Sequence, residues 1–289
     1  MSAQPHKHER RPEWLKTRLP AGDNYLHIKR LLRSSELHTV CEEANCPNIG
    51  ECFSQKTATF LILGDVCTRG CRFCNVEKGV AKPLDFDEPE RVAKAARDMG
   101  LKHIVVTSVT RDDITDGGAA IYAMTISAIR KYNPESTIEV LIPDFKGSDE
   151  ALNTVIRESP EVINHNIETV PRLYKTVRPG AVYERSLRLL KTVRESGLTI
   201  TAKAGLMAGL GEQFQEIVEV MKDLRDSGCD ILTIGQYLSP TKNHLPVQRY
   251  YHPDEFKELK SIGMELGFQY IESGPLVRSS YHAIDQMGK

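Results

Sequence analysis

The sequence predicts an α/β fold of parallel strands linked by helices, and three observations carry that expectation. From Thr57 onward, short apolar runs alternate with longer amphipathic stretches. Glycine, proline or serine marks most junctions between them. Hydrophobic residues make up 40% and charged residues 27% of the 289-residue chain, enough to bury a large core as one domain or two.

The segment before about residue 55 reads as irregular, because Pro12-Glu-Trp, Arg18-Leu-Pro20 and Cys46-Pro-Asn-Ile-Gly50 interrupt any period. Thr59-Phe-Leu-Ile-Leu-Gly64 is continuous and apolar, the pattern of a strand buried on both faces. A helix is expected from about Glu88 to Met99, with acidic residues at its start and Gly100 at its close. His103-Ile-Val-Val-Thr107 reads as the second strand and Gly118 to Lys131 as the second helix. Further strands fall near Thr137–Ile142, Val162–Asn166, Thr199–Gly205 and Asp230–Ile234, with helices near Ser148–Arg157, Tyr183–Ser196, Glu212–Ser227 and Pro253–Leu266. Six strands, each followed by a helix, call for parallel pairing and right-handed crossovers. A barrel and an open doubly wound sheet alternate in the same way, so the period alone leaves both open.

Composition narrows the function classes. A net charge of −1 gives no whole-molecule attraction for nucleic acid or an anionic membrane. No apolar run approaches the ~20 residues of a membrane span, and the opening MSAQPHKHERRPEW has no apolar leader core. Seven cysteines in such a chain argue for metal rather than disulfides and for a cytoplasmic protein. Residues 1–36 hold eight Lys and Arg against four acids, a solvated arm or a docking surface for an acidic partner.

Six of the cysteines fall in two triplets, Cys41, Cys46, Cys52 and Cys67, Cys71, Cys74, with fourteen residues between them. A structural zinc takes four ligands, and each of the four irons of a cubane cluster needs one outside ligand, so each triplet is one short. A zinc knuckle at the second triplet would need a further Cys or His close by; the next His is His103, on an expected strand. Cys67-Thr-Arg-Gly-Cys71-Arg-Phe-Cys74 has the C-x3-C-x2-C spacing that resembles the radical S-adenosylmethionine (SAM) superfamily, with Phe73 at its aromatic position. That resemblance implies a partial (β/α)6 TIM-type barrel with N-terminal and C-terminal extensions. It sets boundaries at 1–56 for the extension carrying the first triplet, 57–267 for the barrel and 268–289 for the C-terminal extension. It also implies a 4Fe-4S cluster on Cys67, Cys71 and Cys74 whose open iron binds SAM through its amino and carboxylate groups. An electron from the cluster then releases a 5′-deoxyadenosyl radical.

Candidate SAM contacts lie where strands end, the catalytic face of such barrels. Thr107 opens Thr107-Ser-Val-Thr-Arg-Asp-Asp113, which departs from the Gly-rich segment the superfamily often carries there. Asn166 and Glu168 follow the fourth strand, where a carboxylate would bond ribose hydroxyls. Lys203 closes the fifth, ahead of Gly205-Leu-Met-Ala-Gly-Leu-Gly-Glu212, whose glycines would admit adenine. Each of these polar residues equally suits a capped turn. Cys229 reads as an inert buried thiol.

The first triplet, Cys41-Glu-Glu-Ala-Asn-Cys46-Pro-Asn-Ile-Gly-Glu-Cys52, matches no ferredoxin run. Together with Pro12-Glu-Trp-Leu-Lys16, Ser239-Pro-Thr-Lys-Asn-His-Leu-Pro246 and Arg278-Ser-Ser-Tyr-His-Ala283, it resembles the lipoyl synthase family over roughly residues 10 to 283. Phe53 stands where family members usually have Trp, and Ile284 replaces a usual acid, with Asp285 one place on. The resemblance implies an auxiliary 4Fe-4S cluster on Cys41, Cys46 and Cys52, completed by Ser280, with Ser279 as the fallback. A serine oxygen is a poorer match than thiolate for this iron, which suits a cluster that must come apart.

The implied reaction inserts sulfur at C6 and C8 of an octanoyl chain amide-linked to a lysine of a lipoyl carrier domain. The sulfur comes from the auxiliary cluster, and each insertion uses one SAM. The implied partners are carriers of the 2-oxoacid dehydrogenase E2 or glycine cleavage H protein type, an electron donor such as flavodoxin or ferredoxin, and an iron–sulfur carrier that rebuilds the cluster. Reactants must meet away from water, which calls for an apolar channel between the clusters. Arg278 would orient its loop or face a sulfide, and Tyr281 and His282 read as packing and hydrogen-bonding residues. The competing readings are a methylthiotransferase, for whose extra domains the chain has no room, biotin synthase, which lacks the upstream triplet, and a two-cluster electron carrier, for which six βα units are excessive scaffold.

Overall fold

The computed structural model describes residues 11–17 and 20–287. Much of the basic N-terminal stretch, including Lys7, Arg10 and Arg18, lies outside them. In chain order the elements are α1 (Asp23–Ser34), β1 (His38–Thr39), α2 (Val40–Glu43), α3 (Ile49–Ser54), β2 (Thr59–Ile62), β3 (Val66–Cys67), β4 (Glu77–Lys78), α4 (Glu88–Met99), β5 (His103–Ser108), α5 (Ala119–Tyr132), β6 (Thr137–Leu141) and α6 (Asp149–Arg157). They continue as β7 (Val162–Asn164), α7 (Tyr174–Val177), α8 (Tyr183–Glu195), β8 (Thr201–Ala208), α9 (Phe214–Asp226), β9 (Ile231–Gln236), α10 (Pro253–Glu265) and β10 (Tyr270–Gly274).

Eight strands form one sheet in the order β1-β2-β5-β6-β7-β8-β9-β10. Every pairing is parallel except β1 with β2, and β1 and β10 remain as separate edges. The sheet is therefore open, the geometry of a partial barrel. Its central strands are mostly buried because helices cover one face and the barrel interior the other; every residue of β2 and of β9 is buried. Local chemistry sets the helix limits. Ser148 Oγ accepts from Ala151 N at the start of α6 (3.2 Å), Gly100 takes a left-handed φ of 70° after α4, and Pro253 opens α10 behind a His252–Glu255 capping box.

Two elements depart from the sequence expectation. The supposedly irregular N-terminal region contains α1, twelve residues long, which buries Ile28 and Leu32 and stacks Tyr25 on the fully buried Phe53 of α3 at 5.6 Å between ring centroids. Prolines on either side masked this helix, whose buried positions are few. A seventh parallel strand, β10, extends the sheet beyond the six expected and lies inside residues 268–289. Only Ile271 of β10 is buried, so its apolar signal is a single residue. Both extensions thus add a strand to the barrel sheet.

Candidate active site

Loops at the C-terminal ends of the strands enclose a cavity of about 590 Å³. Cys46 from the first triplet and all three cysteines of the second line it, as do Arg278, Ser279 and Ser280. Arg11, Thr17 and Pro20 close one side, where the N-terminal segment crosses toward α10 and Trp14 meets His252 edge-on at 5.1 Å. Among the described residues, no three His, Cys, Asp or Glu side chains converge tightly enough to hold a single metal ion.

Cys67 sits in a short parallel ribbon, β3 with β4, just past β2. Its Sγ accepts from the backbone N–H groups of Arg69 and Thr110, both at 3.4 Å. Arg69, buried, holds the bend between Cys67 and Cys71. It donates to Asp112 (2.7 and 3.0 Å) and to Asp144 (2.5 Å), which also accepts from Arg185 at 3.0 Å. Burial pushes the Asp144 carboxyl up, yet the two guanidiniums hold it down at about 2. His244 Nε2 meets the Cys74 carbonyl at 3.0 Å, so the Ser239–Pro246 segment braces the far end of the loop. Burial raises the Cys71 thiol and pushes Cys74 up to about 12. Binding of a metal cluster would therefore displace protons here.

The SAM candidates divide. Thr107, Asn166 and Glu168 all line the cavity. Thr107 Oγ1 donates to the Leu141 carbonyl (3.0 Å), and Asn166 Nδ2 donates to Glu168 Oε1 (3.1 Å). Glu168 has a left-handed φ of 66°, and the bonds from Glu168 N to Gly205 O (3.0 Å) and from Met207 N to Glu168 O (2.9 Å) hold it beside β8 in a parallel bridge to Leu206. Burial raises its carboxyl and the nearby Arg178 charge opposes this.

Lys203 is a correction. It is fully buried near the start of β8, which runs on to Ala208, and its Nζ donates to both carboxylate oxygens of Glu139 at 2.8 and 2.9 Å. Lys203 is no part of the cavity wall. Of the glycines expected to admit adenine, Gly205 lines the cavity, whereas the space beside Gly209 is filled by Gln236. Sequence reasoning missed Arg178. Its Nη1 donates to the Asn166 and Ile167 carbonyls (2.7 and 3.1 Å), while its Nε is buried with no partner among the described residues, in a side chain that lines the cavity. A donor so placed fits an anionic ligand group. No spacing motif marks it; it lies past the seventh strand on α7's far side.

Cys41 lies on α2 and Cys52 on α3, with Cys46 on the turn between. Burial raises all three thiols, with Cys52 pushed up to about 12, and the charge of Cys46 adds to the rise at both Cys41 and Cys52. The Arg278 guanidinium is close enough to Cys46 to counter that rise. Ser279 Oγ donates to Asn166 Oδ1 at 2.9 Å. The Ser280 hydroxyl, on the same wall, has no hydrogen-bond partner among the described residues. Three soft thiolates, one unengaged hydroxyl and a nearby cation are a donor set that fits an iron–sulfur cluster. The departures noted above are benign here: Ile284 is exposed and Asp285 meets His282 at 3.3 Å.

Comparison with known proteins adds two family matches. Residues 61–224 match the Radical SAM superfamily, and residues 1–46 match the N-terminal domain of lipoyl synthase of the radical SAM family. A lipoyl synthase from Rubrobacter xylanophilus is 58% identical over 96% of this chain and 86% of its own length. One from Oceanobacillus iheyensis is 57% identical over 97% of this chain and 90% of its own. Among solved structures, HydG, a maturase of the FeFe hydrogenase, shares the fold at 13% identity, with a TM-score of 0.58 over 91% of this chain and 77% of that one.

Proposed function

Because this chain belongs to the lipoyl synthase family of radical SAM enzymes, we propose that the two cysteine sites opening on its one cavity perform sulfur insertion at C6 and C8 of an octanoyl chain on a lipoyl carrier. When bound, two 4Fe-4S clusters and SAM supply the chemistry: one cluster delivers the electron that yields a carbon radical from SAM, and the other delivers sulfide. The observation that carries this reading is that Cys46 and Cys67, Cys71 and Cys74 line the same cavity, so both sites open on one space that a single substrate chain can enter.

The residues do the positioning. Cys67, Cys71 and Cys74 would hold the cluster that binds SAM, and the N–H groups of Arg69 and Thr110 donate to the Cys67 sulfur and fix its orientation. Cys41, Cys46 and Cys52 hold the auxiliary cluster. Ser280 is its fourth ligand in preference to Ser279, whose hydroxyl is engaged with Asn166. Arg178 Nε is the donor for the SAM carboxylate, and Glu168 with Asn166 receives the ribose; Thr107 completes that wall. Leu141, Ile142, Leu206, Met207 and Val277 keep water from the octanoyl path. Segments 1–56, 57–267 and 268–289 act as one unit, the middle one holding SAM and the outer two the auxiliary site.

The carriers would be of the 2-oxoacid dehydrogenase E2 or glycine cleavage H protein type, the reductant a flavodoxin or ferredoxin, and an iron–sulfur carrier would rebuild the spent cluster. No helix among the described residues is long and apolar enough to cross a membrane. Thiolate-bound clusters need a reducing compartment, and a cytoplasmic location follows from that need.

Anaerobic reconstitution followed by reaction with SAM, reductant and an octanoyl-lysine peptide tests the reading. It requires about eight irons, deoxyadenosine and a peptide gaining two sulfurs. Cys46→Ala should still cleave SAM and insert none. Wild-type protein that holds about four irons, or cleaves SAM without sulfurating the peptide, overturns the assignment of the first triplet.

A further inference from the structure

The Ser280-bearing segment is pinned on both sides by residues from the short interval between Cys46 and Cys52. Asn48 Nδ2, buried, donates to the Leu276 carbonyl at 2.7 Å. Tyr281 Oη donates to Glu51 Oε1 at 3.0 Å, and His282 Nε2 lies 3.4 Å from the same oxygen. These contacts cross 228 to 231 positions of sequence. They fall four residues before Ser280 and one and two after it, so they enclose it.

We infer that Asn48 and Glu51 are positioning residues that bracket Ser280 against the auxiliary cysteines and thereby set how long its oxygen stays on the cluster. The inference rests on the reading of Ser280 as fourth ligand and adds how that ligand is held. An alcohol oxygen is a weak donor to iron, so its own bond does little to fix the loop that carries it. The loop must be ordered by other contacts, as outer-sphere partners order metal ligands generally. Two ligands and both bracket residues share the seven residues from Cys46 to Cys52. The serine is thereby registered directly to Cys46 and Cys52 rather than through the distant barrel. Backbone bonds make that interval stiff: Cys52 N donates to Asn48 O at 2.9 Å and Ile49 N to Cys46 O at 3.3 Å. Ser279, bonded to Asn166, ties the middle of the segment to the SAM side. A bracket of two hydrogen bonds holds the oxygen in place yet opens without unfolding anything else, which suits a ligand that must leave once per cycle.

The test compares Asn48→Ala, Glu51→Ala, Glu51→Gln, Tyr281→Phe and Ser280→Ala in the full chain. Two readouts serve: release of iron from the reconstituted protein to a strong chelator without SAM, and amide hydrogen exchange of residues 276–283 in the metal-free protein. Losing a hydrogen bond to a charged or buried group should speed both by about tenfold in Asn48→Ala and Glu51→Ala, with Tyr281→Phe similar. The faster iron phase should approach that of Ser280→Ala, while exchange in β5 and β6 stays at the wild-type rate. Glu51→Gln keeps the acceptor and should stay near wild type. If Ser280→Ala releases iron faster but the other variants do not, the bracket is wrong and the serine ligand stands. If Ser280→Ala itself changes nothing, the ligand reading falls. A Glu51→Gln rate equal to that of Glu51→Ala assigns the effect to charge beside Cys52 and also overturns the bracket. Glu51 and Tyr281 are partly exposed, so these variants report even if Asn48→Ala folds poorly.

Discussion

Lys203 shows what a single residue hides from sequence reading. A lysine near the end of an expected strand suggests a ligand contact, and so does the observed one until its partner is known. The partner, Glu139, is 64 positions away and equally buried, and no local pattern connects them. His103 and Asn164 complete the cluster, at 3.4 and 3.0 Å from the Glu139 carboxylate. Burial alone would raise the Glu139 carboxyl, but the Lys203 charge overrides it and holds it at about 2, below its ordinary 4.5. A depressed carboxyl stabilises the fold above its unfolded value and loses that contribution as pH falls from about 4.5 through 2. Lys203→Met leaves a buried carboxylate unpaired and should cost about 3–5 kcal/mol at pH 7. The cost should shrink by pH 5, where the stranded carboxyl takes up a proton. Urea unfolding of the metal-free protein at the two pH values measures this. Unchanged stability at pH 7 together with lost SAM binding would return Lys203 to the active site.

At the scale of elements, the periodic parts were legible and the aperiodic ones were not. The helix expected at Glu88–Met99 is α4 to the residue, because acid-rich start, apolar spacing and terminal glycine agree. β10 escaped because one buried isoleucine makes no pattern, and α1 because two buried positions in twelve residues make a faint one. The cysteine spacings told which thiols act together. They did not tell that two strands would need glycine where the last segment crosses them. A methyl group built on Gly235 of β9 would overlap the Val277 carbonyl oxygen, and one on Gly205 of β8 would press on Ser279 and Asn166. The Gly235 obstacle is backbone, which cannot rotate aside. Gly235→Ala should therefore shift residues 276–281, destabilise the protein by about 1–3 kcal/mol and lose auxiliary iron before SAM-site iron. Iron counting and thermal unfolding check it; full iron retention with an unchanged melting temperature would mean that the segment lies farther from β9 than the structure has it.

For the molecule as a whole, the two cysteine sites draw on different amounts of the fold. The SAM site is local: its three thiols lie within eight residues, on a loop clamped by Arg69, Asp112 and Asp144 to the exits of β5 and β6. The auxiliary site joins distant parts of the chain, from Cys41 in the core to Tyr281, and its C-terminal half is held there by a few part-buried side-chain bonds. A segment held by so few bonds opens at lower free energy than the core strands. In rising urea, the auxiliary site should therefore release its iron in a first transition, while the barrel keeps its helical signal and the Cys67, Cys71 and Cys74 site its own iron. The sequence displays this asymmetry only as two spacings, one compact and one loose, because the closing serine is more than two hundred residues away. Anaerobic titration, following cluster absorbance and circular dichroism together, separates the alternatives. Two transitions, the first confined to about half the iron, would identify the chain ends as a detachable module around the sulfur donor. One coincident transition would mean that the ends and the barrel fold as a single unit, and that release of the spent cluster needs no local opening.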